Sequence, residues 1–199
     1  MNPRTTIVLP VFGLLLFACG CNVGGSRYGL PVSLGSSSDD VRNVLGAPTE
    51  RFRPGTADDT VGGISHPGKD EEKVIEWYYS VGIVAMFARD RLAAITLPTY
   101  TDYHGFLPFT GTVVSGVKIT DTKQVILAKL GTPTKVESDE LEAGTDPNVP
   151  VVWPKESTYY WRLKEYAVQA TFLNQAQDVS EKEHLTFPKD KLLSITIKK

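Results

Sequence analysis

Leu45-Gly46-Ala47-Pro48-Thr49 is written a second time, 85 residues on, as Leu130-Gly131-Thr132-Pro133-Thr134. Each copy closes a short helical signal. Before the first stand Ser36, Ser37, Ser38, Asp39 and Asp40, which offer N-caps and first-turn acids. Val41, Val44 and Leu45 then fall at i, i+3 and i+4 on one apolar face. Gly46 suits the residue that stops a helix, and Pro48 prevents its restart. The second copy reads alike: Thr120, Asp121 and Thr122 as caps, Ile126, Leu127 and Leu130 as the face, Gly131 and Pro133 as the stop. Helices of about nine residues are not stable alone in water, so each must pack on something larger.

Working outward, the partner is a sheet. Ile75, Trp77 and Tyr79 alternate with Glu76 and Tyr78, and Ile83, Ala85 and Phe87 continue after Gly82. Ala93, Ile95 and Leu97 follow; in the second half stand Tyr159, Trp161 and Leu163, then Val168, Ala170 and Phe172, then Leu193, Ile195 and Ile197. Period-two alternation of this kind predicts strands with one face buried and one wet. Asp90-Arg91-Leu92-Ala93-Ala94-Ile95-Thr96-Leu97 also recurs, as Asp190-Lys191-Leu192-Leu193-Ser194-Ile195-Thr196-Ile197. The expected fold is therefore α+β, with two tandem repeats, each of short helices packed on a three-stranded antiparallel β-meander. The expected boundaries are a signal peptide at 1–18, a Gly/Ser-rich tether at 19–29, repeat 1 at 30–98, an aromatic linker at 99–115 and repeat 2 at 116–199.

The N-terminus reads as a targeting segment. Arg4 supplies a positive start, and an apolar stretch from Ile7 to Ala18 is too short to span a bilayer, which takes about 20 residues. It ends in Leu16-Phe17-Ala18-Cys19, which resembles the bacterial lipoprotein box whose cysteine is acylated and becomes the new N-terminus. Cys21 offers a second frame, with Ala18 a poorer residue than Leu16 three positions upstream of the cysteine. Gly20, not Asp, follows Cys19; by the sorting rule of enteric bacteria this implies the outer membrane, on its periplasmic face. Beyond Cys21 there is no cysteine, so no disulfide framework contributes to stability.

These markers together resemble the BamE (SmpA/OmlA) outer-membrane lipoprotein family and the related fold of the β-lactamase inhibitory protein. The residues that carry the resemblance are Val41, Leu45-Gly46-Ala47-Pro48-Thr49 and Trp77-Tyr78-Tyr79, then Ile126, Leu130-Gly131-Thr132-Pro133-Thr134 and Tyr159-Tyr160-Trp161. The match covers nearly all of the chain after the leader, once per half. It implies a protein-binding scaffold as a class and transfers no partner-contacting residue, because fold alone does not fix function.

Composition narrows the function further. A net charge of −2 and the lack of any basic cluster argue against a nucleic-acid partner. His66, His104 and His184 stand in separate loop-like regions without metal-ligand spacing, and no nucleophile elbow or phosphate-binding loop occurs, so no metal, cofactor or catalytic residue is expected. The strand carboxylates Glu76 and Glu165 have no evident partner in the sequence. Long loops are expected at 50–72 and 135–157, and loops of that length are often functional. Trp153, flanked by Pro150 and Pro154, is a candidate interface anchor, or else folds back over the sheet edge. Tyr78 and Tyr160, on the wet parity of their strands, are candidate protein-binding residues, with cross-strand packing the alternative. The functional expectation is a non-enzymatic, lipid-anchored adaptor or assembly and maintenance factor of the outer membrane, engaging an envelope protein. The alternative is a protein inhibitor of a hydrolase, binding through its loops and sheet face.

Overall fold

A computed structural model describes residues 29–52, 60–61, 64–65, 73–99, 106–138, 156–180 and 185–199. The elements in chain order are α1 (Ser38–Leu45), β1 (Glu50–Phe52), β2 (Thr60–Val61), β3 (Ile64–Ser65), β4 (Lys73–Tyr78), β5 (Ile83–Ala88), β6 (Arg91–Pro98), α2 (Lys123–Leu130), β7 (Lys135–Ser138), β8 (Glu156–Arg162), β9 (Ala167–Leu173), β10 (Gln177–Ser180), β11 (Leu185–Phe187) and β12 (Leu192–Lys198). Both helices begin and end as the sequence dictates. Ser37 caps α1 in a reciprocal box with Asp40, Thr122 caps α2 by accepting from the Val125 N–H, and Gly46 and Gly131 close them with φ of 85° and 79°.

The expectation of two tandem repeats, each with its own three-stranded meander, is wrong. Eight strands form one antiparallel sheet in the order β1-β4-β5-β6-β12-β9-β8-β7, and the regular structure of the described residues is mostly strand, with two α-helices. Two causes account for the difference. The chain after each Pro-Thr turn, expected as loop, opens with a strand: β1 pairs with β4 and β7 with β8. Second, the last strands of the two halves carry the same alternation and pair with each other, Thr96 opposite Thr196 and Ile95 opposite Ile197. Joining β6 to β12 removes two unpaired edges that separate sheets would leave open.

One face of this sheet is the core. Val41 of α1 and Ile126 of α2 are fully buried in a single cluster with Ala85, Phe87, Ile95, Leu97, Trp161, Val168, Ala170, Phe172, Ile195 and Ile197. Val32 and Val117, which precede the two helices, are buried in it too. A register shift in β6 and another in β12 turn Leu92 and Leu192 inward, not the expected Ala93 and Leu193. The described part of the linker is packed in part, with Val113 and Val114 buried and Leu107 and Pro108 exposed. Phe109 lies against the core, while Phe106 lies against a second cluster on the opposite face, built by Ile75, Trp77 and Val84. Gly82, with φ of 64°, allows this close approach; a Cβ there would stand 2.3 Å from the Phe109 nitrogen.

Candidate functional site

The register of β4 decides where the candidate tyrosines lie. Glu76 is opposite Ala85 and Tyr78 is opposite Ile83, just as Tyr159 is opposite Ala170 and Trp161 is opposite Val168. Structurally, Glu76-Trp77-Tyr78 therefore corresponds to Tyr159-Tyr160-Trp161, one residue away from the correspondence read from the sequence. A slip of one residue exchanges the faces of a strand. The expectation of a wet Tyr78 is corrected: its side chain points into the core and is 1 % exposed. Ile75 and Trp77, expected in the core under α1, are buried on the opposite face. Tyr160 does lie on that outer face and is half-buried.

Around Tyr160 the outer face is polar and half-exposed, with Thr171 buried. A single row crosses all eight strands: Lys135, Tyr160, Gln169, Thr196, Thr96, Val84, Trp77 and Glu50. Beside it runs Glu137, Thr158, Thr171 and Ser194. Thr96 and Thr196 share a hydrogen bond of 2.9 Å between their hydroxyls, and Thr158 and Thr171 one of 3.2 Å. The Tyr160 hydroxyl donates to Glu137 Oε2 at 2.5 Å, and the ammonium groups of Lys135 and Lys198 lie 5.8 and 6.0 Å from its ring centroid. Bonds from Lys135 and then from Tyr160 hold the Glu137 carboxyl below its ordinary pKa, so it is anionic at neutral pH. Hydroxyls that both donate and accept, an amide and an aromatic ring across a flat surface suit contact with another protein's backbone and side chains.

The sequence reading missed the partners of Glu76. Its carboxylate is 0 % exposed, yet Arg42 from α1 and Arg51 from β1 both pair with it, Arg51 Nε at 3.2 Å, and the Tyr78 hydroxyl donates to its second oxygen at 2.7 Å. Burial, then the bond to Glu76, pushes the Tyr78 hydroxyl far above the ordinary tyrosine pKa, so it is a neutral donor at neutral pH. The Arg42 guanidinium is raised in turn by its bond to Glu76. The signal was present in outline: Arg42 lies one position past Val41, where its long arm reaches the sheet from the helix flank. Buried carboxylates of this kind read as structural when every oxygen is satisfied.

A cleft of about 450 Å³ opens at the start of α2, lined by Thr122, Lys123, Gln124, Lys189, Asp190 and Lys191 among others. Lys123 spans it, bonded to Asp190 at 2.9 Å and lying 5.0 Å from the centre of the Tyr159 ring. Among the described residues no cluster of three metal-ligating side chains occurs. Cys19, Cys21, Trp153, His66, His104 and His184 lie outside the described residues, and Glu165 sits in the exposed turn between β8 and β9. No helix among the described residues is long and apolar enough to cross a membrane. No protein-family model, curated protein or solved structure matches the chain.

Proposed function

We propose that this chain is a lipid-anchored, non-enzymatic envelope protein that holds a protein partner against the open half of its sheet. The observation that carries the reading is the outer face of β8, β9, β12 and β6. There Thr158, Tyr160, Gln169, Ser194, Thr196 and Thr96 are half-exposed on contiguous strands. A half-exposed sheet face rich in hydroxyls, with a tyrosine framed by two lysines, resembles the wet rim and aromatic anchor of a protein interface more than a reaction centre. The Leu16-Phe17-Ala18-Cys19 box supports attachment through Cys19, with Cys21 as the second frame, at the periplasmic face of the outer membrane. The Leu-Gly-x-Pro-Thr markers and their resemblance to the BamE family support a role in outer-membrane assembly or maintenance.

The test is photo-crosslinking in native membranes from a reactive residue at position 160 or 196, against one at Asn43 on the exposed side of α1. Capture of an envelope protein from the two sheet positions, and not from Asn43, is the expected result. Capture of one soluble hydrolase would turn the reading toward inhibition. Equal capture from all three positions, or none, would overturn it.

A further inference from the structure

The two outer strands of the sheet differ in how they would meet a second copy of themselves. β7 is an edge strand in which Lys135, Val136, Glu137 and Ser138 are all exposed. An edge strand directs half of its backbone N–H and C=O groups away from its one neighbour, and these groups can pair with another strand. Val136 is one of the few large apolar side chains left exposed among the described residues, at 47 %. It lies on the helix-covered face, beside Tyr159. Lys135 and Glu137 flank it on the other face, each opposite a β8 residue.

We propose that β7 is a homodimerisation edge, pairing antiparallel with β7 of a second copy about a two-fold axis at Val136. In that register Lys135 of each copy faces Glu137 of the other, and the two Val136 side chains meet on the apolar side. Antiparallel pairing reverses the order Lys-Val-Glu, so the segment is complementary to itself in charge and in polarity. Opposite charges directly across an antiparallel pair stabilise it, and like charges oppose it. The bond that Lys135 makes to Glu137 within one chain is on the exposed surface, so Lys135 can exchange it for Glu137 of the second copy while the Tyr160 hydroxyl keeps its own bond to Glu137. A two-fold contact of this kind closes on itself and stops at two copies. The opposite edge, β1, fails the same criterion: the pairing centred on Arg51 would set one guanidinium against its copy. Arg51 is instead turned to Glu76 within its own chain. The charges that admit a second β7 also reject strands lacking the reversed pattern. Lys135 and Glu137 also border the proposed partner-binding face at Tyr160, so self-association is read on the chain alone, without the partner.

Charge reversal tests it, read by sedimentation velocity of the full chain in non-ionic detergent. The wild type is expected to dimerise. Lys135→Glu or Glu137→Lys each place two like-charge pairs across the axis, and each is expected to raise the dimer dissociation constant about tenfold or more. The double variant Lys135→Glu/Glu137→Lys restores the pattern and is expected to return the constant to near the wild-type value. All four residues are exposed, so circular dichroism should be unchanged throughout. A wild type that remains monomeric at concentrations on the order of 100 μM would sink the proposal. So would single reversals without effect, or a double reversal that fails to restore the dimer.

Discussion

The two halves of the sheet place the same backbone under opposite chemistry. Under α1 the inward positions are Glu76 and Tyr78, a buried carboxylate and its hydroxyl donor, while the outward ones, Ile75, Trp77 and Val84, are apolar and buried. Under α2 the inward positions are Tyr159 and Trp161, stacked on each other with Tyr159 meeting Phe172 edge-on, while the outward ones, Tyr160, Gln169 and Thr196, are polar and half-exposed. An antiparallel sheet needs only one apolar face to fold. The second half meets that need cleanly and leaves Tyr160, Gln169 and Thr196 half-exposed on its other face. The first half buries both faces and places an ion network in its core.

The sharpest way to break the comparison is at adjacent residues of β8. Trp161 is 2 % exposed, packs in the core and donates its indole N–H to the Gly131 carbonyl at 2.9 Å, tying β8 to the end of α2. Trp161→Ala is expected to lower stability by about 3–5 kcal/mol, through lost packing and an orphaned carbonyl. Tyr160→Ala, one residue away on the open face, is expected to lower it by no more than about 1 kcal/mol. Urea unfolding midpoints separate the two. Equal losses would mean that the outer face of this half is covered and not open.

The next effect belongs to the network. Arg42 and Leu127 occupy the same position on the two helices, one paired with Glu76, the other partly buried against the core. Arg42→Ala leaves a fully buried carboxylate with one guanidinium fewer. Breaking a buried pair costs about 3–5 kcal/mol, and since Arg42 is itself partly in water we expect about 2 kcal/mol. Adding Glu76→Leu to that variant should recover part of the loss, because it removes the underpaired charge. No recovery would show that Arg42 acts by packing its methylenes and not by satisfying Glu76.

How far this was legible in the sequence follows from the same residues. The helices were readable because caps, Gly46 and Gly131 are local signals, and the strands β6, β9 and β12 because their alternation has one apolar parity; β5, apolar on both parities, was legible only as a strand. β4 was not, since Val74 and Tyr78 on one parity and Ile75 and Trp77 on the other are all apolar enough to be buried. Periodicity cannot choose between two apolar faces, and the choice fell to the partner strand. β1 and β7 are too short and too charged to announce themselves. The joining of β6 to β12 is a long-range pairing with no local trace. Of the candidate site, Tyr160 was placed correctly on the outer face. Tyr78 was not, for the reason that β4 was not.

The smallest expected effect compares the turns before β6 and β12. Asp90 and Asp190 both adopt left-handed backbone, with φ of 56° and 63°, and both reach back to the first residue of a helix. Asp90 accepts from the Ser38 hydroxyl at 2.5 Å, and Asp190 from the Lys123 ammonium at 2.9 Å. Burial works against the charge on Lys123, but its bond to Asp190 prevails and raises its pKa, whereas the Ser38 bond lowers that of Asp90. Asparagine tolerates the left-handed turn and still accepts a hydrogen bond, so Asp→Asn removes charge and little else. Asp190→Asn is expected to lose about 0.5 kcal/mol at low ionic strength, shrinking toward nothing in molar salt as the partly exposed pair is screened. Asp90→Asn, facing a neutral hydroxyl, should change stability less and show weaker salt dependence. If both variants respond to salt alike, the two turns are held by the general field of the surface and not by their helix partners, and the contrast between the halves stops at the core.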